Sequence, residues 1–196
     1  MYTKTTVQTG DVITATWANH IQTQFDEAVA DAAAAVPIVP IDRITATTQV
    51  VSTDQETTLY SKTITGGLLG TNGGLRLALG GDYRCDFAGV SVTVRVKFGV
   101  TTLFSVLVQP ADTGTSRYAW RLDVLLQNTA ANAQRAIVLS SPMTDLTELA
   151  PKAYYGVATE GTATNRDLTV TVTLSMANPA VDWSARHGVL ELIRPT

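Results

Sequence analysis

Four stretches of this chain alternate apolar and polar residues with a period of two, a pattern that fits little except half-buried β-strands. Leu168, Val170, Val172, Leu174 and Met176 alternate with Asp167, Thr169, Thr171, Thr173 and Ser175. Val90, Val92, Val94, Val96 and Phe98 alternate with Ser91, Thr93, Arg95 and Lys97. Leu75, Leu77, Leu79, Tyr83, Cys85 and Phe87 face away from Arg76, Ala78, Asp82 and Arg84, and Tyr118, Trp120, Leu122, Val124 and Leu126 face away from Ala119, Arg121 and Asp123. Each stretch should set one face on a core and the other on solvent, as strands of antiparallel sheets do. The 31 threonines agree, because a β-branched polar side chain suits the wet face of a pleated sheet.

Further strands are expected at 57–65, 101–108, 133–140, 154–159 and 188–194, with 141–152 irregular and 181–187 a loop. The turn Asp86 to Gly89 is expected to join its two flanking strands as an antiparallel hairpin. Gly66-Gly67 and Thr71 to Gly74 tolerate positive φ and mark tight turns. About eight principal strands, with connections unlike a simple meander, predict two antiparallel sheets packed face to face as a jelly roll. The last strand should then be central, burying Leu190 and Leu192. No interval of about 20 to 50 residues repeats, which argues against a propeller or solenoid.

The N-terminal part reads differently. Thr14 is a suitable N-cap for a helix over 15–35. Within it Ala18, Ile21, Phe25, Ala28, Ala32 and Ala35 fall at spacings of three and four, a heptad seam flanked by Trp17 and Val29. A narrow, alanine-rich seam needs a partner: the helix either packs along its own β domain or self-associates as a short parallel bundle, most simply a trimeric coiled coil. Pro37 and Pro40 end it. The expected organisation is therefore an arm and anchoring helix at 1–36, a linker or edge strand at 37–56 with 47–51 as the strand, and a β-sandwich domain at 57–196. With 196 residues, one filled domain plus an appendage is the expected content.

The order KTITGGLLGTNGGLR at 62–76, GDYR at 81–84, a valine-alternating strand and KFGVTTLF at 97–104 resembles a β-rich domain recurrent in structural proteins of tailed bacteriophages. The resemblance covers about Leu59 to Leu107 and is supported by the ending Trp183 to Ile193. Its motif residues are glycines and apolar strand positions, so it implies a fold and no chemistry. The phrase GDVITATWAN, Gly10 to Asn19, is similar to N-terminal segments of phage fibre and appendage proteins, which attach a trimer to the particle. The resemblance thus implies a homotrimeric virion protein, a capsid fibre or decoration (a head fibre), with Trp17 and Asn19 as attachment or bundle-start residues beside the seam positions Ala18, Ile21, Phe25, Ala28 and Ala32, which would oligomerise; the other reading of Trp17 is a partly buried anchor of the helix. It implies other virion proteins as partners, the major capsid protein or tail and neck components. The alternative is a tail fibre or receptor-binding protein that contacts a host surface receptor; a carbohydrate-binding module is a third reading, which leaves the heptads unexplained.

Reactive chemistry is not expected. The two histidines, His20 and His187, and the one cysteine lie at unrelated positions, so neither a nucleophile and base pair nor a zinc ligand spacing is readable. Cys85 lies on a predicted inward face and is expected to be buried and inert. Asp145, Glu148 and Glu160 are loop carboxylates expected to be solvated rather than a glycosidase pair. Asp112, Asp123 and Asp167 share no calcium-loop spacing. Tyr154 and Tyr155 are candidates for surface recognition or for packing. A net charge of -3 with 16% charged residues gives no footprint for nucleic acid. No apolar run is long enough to span a membrane and no secretory start is present, so a soluble protein made in the cytosol is expected, without cofactor, metal or enzymatic activity; the resemblance implies that this is a host's cytoplasm and that the destination is the virion.

Overall fold

The computed structural model describes residues 22–27, 38–87, 89–110, 114–141 and 152–194. The chain divides into two units, Met1–Pro37 and Ile38–Thr196. In the first, residues 22–27 are helical, and the Gln22 side-chain amide donates to Asp26 one turn on (2.8 Å). The rest of the expected helix at 15–35 lies outside the described residues.

The second unit is mainly β, and all its strand pairs are antiparallel. Its strands are β1 (Ile38–Ile44), β2 (Thr48–Val51), β3 (Thr57–Ile64), β4 (Gly74–Cys85), β5 (Val92–Phe98), β6 (Thr101–Val108), β7 (Tyr118–Ala130), β8 (Ala133–Ser141), β9 (Lys152–Ala158), β10 (Arg166–Leu174) and β11 (Val181–Ile193). The larger sheet has the order β1-β11-β4-β7-β8-β9, with β2 also paired to β11; the smaller has the order β3-β10-β5-β6. The inward faces of both sheets form one core. Leu77, Leu122, Val96, Phe98, Leu168 and Trp183 are completely enclosed there. At one end Trp183 stacks on Tyr83, with centroids 4.7 Å apart, and the Trp120 indole N–H donates to the Ser184 carbonyl (3.0 Å).

The two sheets are also tied along their sides. Asp42 of β1 accepts from the Tyr60 hydroxyl of β3 (3.0 Å) and pairs with Lys62 (3.4 Å). Burial first, and Asp42 second, push the Tyr60 phenol well above its ordinary pKa. On the other side Gly156 of β9 crosses β6 so closely that a Cβ would overlap the Leu103 carbonyl oxygen. Beside it Tyr154 packs edge-on against Phe104, with centroids 4.7 Å apart.

Several expectations are corrected here. β4 and the strand after it do not form a hairpin: β4 lies between β11 and β7, and β5 lies between β10 and β6 in the other sheet. Alternation fixes which face is buried but not which strand is the neighbour, and the chain changes sheets between β4 and β5. Residues 181–187 are not a loop, because β11 runs unbroken from Val181 to Ile193. Its inward residues switch from Trp183 and Ala185 to Leu190 and Leu192 across an irregularity between Ala185 and His187. One extra residue reverses the parity and hides the strand from a period-two reading. β1 was hidden by its one proline; Pro40 is tolerated because β1 is an edge strand, and it sits beside a register shift. Phe87 and Met176, expected to face inward, are 45% and 40% exposed. Leu190, Leu192 and Cys85 are buried, and β11 is an interior strand of its sheet.

Gly156→Ala should cost about 1–3 kcal/mol in urea unfolding, since both parties to the clash are backbone. Ala153→Ser, on the exposed face of the same strand, should change stability by no more than about 0.5 kcal/mol.

Candidate interaction face

The solvent side of the larger sheet carries the most distinctive surface of the described residues. Pairing registers place Arg76, Leu125, Ile137 and Tyr155 in one row across β4, β7, β8 and β9. The rows beside it read Ala78, Asp123, Leu139, Ala153 and Gly74, Gln127, Arg135, Val157. Strands lie about 4.8 Å apart, so neighbours in a row touch. Alternate residues Val124, Leu126, Ala136 and Val138 face the core. The outward Leu125, Ile137, Leu139, Tyr155 and Val157 are 42%, 47%, 44%, 65% and 59% exposed. Water therefore meets an apolar strip on a face that sheet patterning normally leaves polar.

Charges border the strip in pairs. Arg121 donates to both oxygens of Asp123 (2.7 and 2.9 Å), and Arg76 lies 3.6 Å from Glu191. Arg76, Arg121, Asp123, Leu125, Ile137 and Leu139 line a shallow depression of about 450 Å³. Arg121 also borders a second depression of about 410 Å³, shared with Arg43, Thr45, Ala78, His187 and Val189. His187 sits over Gly80, where a Cβ would collide with its imidazole.

Farther along the same face the charges are tied inside the molecule. Arg117 bonds to Asp82 (2.7 Å) and to the buried Asp182, Arg84 pairs with Asp182 (3.3 Å), and Arg186 reaches Asp82 (2.5 Å). Burial pushes the Asp82 carboxyl up, but hydrogen bonds from Arg117 and Arg186 outweigh it and hold it below the usual value. This network is a structural clamp joining β4, β11 and the residue that leads into β7.

Of the residues singled out from the sequence, Trp17, Ala18, Asn19, His20, Ile21, Ala28 and Ala32 lie outside the described residues, as do Asp112, Asp145 and Glu148. Phe25 is on the helical stretch and 63% exposed. The tyrosine pair is split by strand alternation: Tyr154 packs inward on Phe104, and Tyr155 joins the outer strip. Asp167 accepts from Thr63 (2.6 Å). Glu160 is corrected: it is buried, not solvated. Its carboxylate accepts from the Val100 and Thr101 amides (3.0 Å each) and the Thr101 hydroxyl (2.7 Å), and pairs with Arg166 (3.0 Å). The β5–β6 turn is thereby pinned to the segment after β9. Among the described residues no group of three or more histidines, cysteines or acids is placed to hold a metal ion, and no helix is long and apolar enough to cross a membrane.

The strip at Leu125, Ile137, Leu139 and Val157 was missed in the sequence. Its signal was present in the consecutive runs Leu125-Leu126 and Ile137-Val138-Leu139, because strands apolar on both faces are those covered on both faces. No protein-family model, curated protein or solved structure matches this chain.

The Thr101 hydroxyl, followed by the Val100 amide and Arg166, holds the Glu160 carboxyl below its ordinary 4.5 against the opposing effect of burial. Hydrogen bonds from Lys97 and Thr171 likewise lower Glu56. A folded value below the unfolded one means stability that is complete above the unfolded pKa and is lost as pH falls through the folded value. The urea midpoint should therefore drop as pH falls below 4.5. Glu160→Gln should lower stability near neutral pH by about 1–3 kcal/mol and flatten that acid limb.

Proposed function

We propose that this chain is a non-enzymatic structural protein of a tailed-phage virion, a homotrimeric capsid fibre or decoration protein attached through its N-terminal segment. The observation that carries the reading is the strand order. With β1 and β2 taken together as the first strand, β1-β11-β4-β7 facing β3-β10-β5-β6 is the order of two interleaved Greek keys. It supports a jelly roll, an architecture found in viral capsid and lectin domains, here extended at one edge by the β8–β9 hairpin. Fold alone does not specify function. The resemblance of 59–107 to phage structural domains, and of Gly10 to Asn19 to appendage attachment segments, directs the reading to the virion. The mechanism is binding: the N-terminal helices bundle and anchor, and the β domains project from the particle. Neighbouring virion proteins are the partners, and neither nucleic acid nor membrane insertion has a part in it.

Light scattering on the full-length protein should give a mass about three times the 20.9 kDa of one chain. A 38–196 fragment should dissociate more readily. A full-length protein that stays at the single-chain mass at micromolar concentration overturns the trimeric reading.

A further inference from the structure

We infer that the outer face of β7, β8 and β9, centred on Ile137, is the surface on which a second copy of this chain seats. The inference rests on the homo-oligomeric reading above and deepens it by assigning the contact to the β domain as well as to the N-terminal helix.

The first argument is contiguity. Other exposed large apolar side chains among the described residues, Phe25, Ile38, Val51, Phe87, Val100, Leu107 and Met176, are scattered over the helical stretch, β1, β2, β6 and the connections between strands. Leu125, Ile137, Leu139, Tyr155 and Val157 are instead mutual neighbours on three adjacent strands. Together they form one contiguous exposed patch of a few hundred Å², the size of the largest, and often functional, apolar patch on a protein of this kind. With the bordering Arg76, Arg121, Gln127 and Arg135, the face approaches the ~800 Å² per partner of a stable protein interface. Its make-up also fits: an aromatic and aliphatic centre with arginines around it.

The second argument is charge, and it selects a copy of the same chain as the occupant. Two of the arginines bordering the strip are neutralised within the face, Arg121 by Asp123 and Arg76 by Glu191. Of the 14 basic and 17 acidic residues, only Lys4 and the acids Asp11, Asp26, Glu27 and Asp31 precede residue 38, which leaves thirteen of each sign from residue 38 onwards. Two such β domains approach without net repulsion, and near-zero net charge favours self-association. An oppositely charged foreign partner would find no excess charge on this unit to steer by.

The third argument is rigidity. β9 is an edge strand, but Gly156 is locked against β6 and Tyr154 against Phe104. The strip is therefore presented on a fixed surface, and little ordering cost is incurred when it is covered.

The test uses the full chain and measures mass by light scattering across a dilution series for the wild type, Ile137→Lys, Tyr155→Lys and the control Leu107→Lys, which alters a 63% exposed side chain on the smaller sheet. Circular dichroism and the urea midpoint establish that each variant is folded. Ile137→Lys and Tyr155→Lys should weaken association by roughly tenfold or more, as loss of a central interface residue does, while Leu107→Lys leaves it unchanged. If Ile137→Lys disturbs folding, Tyr155→Lys decides, because its side chain is the most exposed of the strip. Oligomers that persist unchanged in the folded strip variants overturn this inference and leave the homo-oligomeric reading standing on the N-terminal helix. A wild-type protein that is single-chain throughout overturns both, and the strip then belongs to a different partner.

Discussion

β11 pairs along both of its edges, with β1 and β2 on one side and β4 on the other, and the rest of the sandwich depends on that strand keeping its apolar side inward for its whole length. A strand with strict period two cannot do this if its pattern slips, since a shift of one residue turns every side chain over. The irregularity between Ala185 and His187 absorbs the slip. Opposite it, Gly80 and Gly81 of β4 lack the Cβ atoms that would strike His187 and the Ser184 backbone. The pair of glycines and the bulge are one device. Without both, either Trp183 or Leu190 would point into water.

Around this spine the polar groups act as fasteners. Arg117, just before β7, ties Asp82 of β4 to Asp182 of β11 on the outer face, and Asp42 reaches between the sheets to Tyr60. At the end of the sandwich, the Gln134 side chain exchanges two hydrogen bonds with the backbone of Glu160 (2.9 and 3.0 Å), and Asn128 donates to Gly70 and Thr162. Asp182, Gln134, Asn128 and Glu160 are buried and nearly all their polar atoms are paired, as burial requires. Their energetic role is mainly negative: removing one partner strands the other in a place water does not reach.

How much of this was legible depended on which physical rule each residue obeys. Leu75 to Leu79, Val92 to Phe98 and Leu168 to Leu174 obey one rule, alternation, and their strands and buried faces were readable to within a residue or two. Neighbour identity was not, because the same alternation serves a strand whether its partner is adjacent in sequence or most of a domain away. β1 and the first half of β11 were hidden by a proline and a bulge, exceptions allowed only by an edge position and a facing glycine pair that the sequence does not announce. Glu160 looked solvated because its donors, Val100, Thr101 and Arg166, converge only in three dimensions. The outer strip was legible in principle, since Ile137-Val138-Leu139 breaks alternation by being apolar on both sides.

The pairing of β1 with β11 has a consequence for the order in which the domain can form. The first strand of the β unit is held, from Ile38 opposite Ile193 to Ile44 opposite Gly188, by the last. On a ribosome the chain emerges from its N-terminus, so β1, β2 and one edge of β4 wait for a partner until β11 has been synthesised. The β7–β8 hairpin, a local pairing, can close well before that. Its two apolar sides are then both uncovered, on a nascent chain whose neighbours on a polysome carry the same hairpin. Synthesis itself thus brings together like faces at high local concentration, which favours early association and equally invites mispairing.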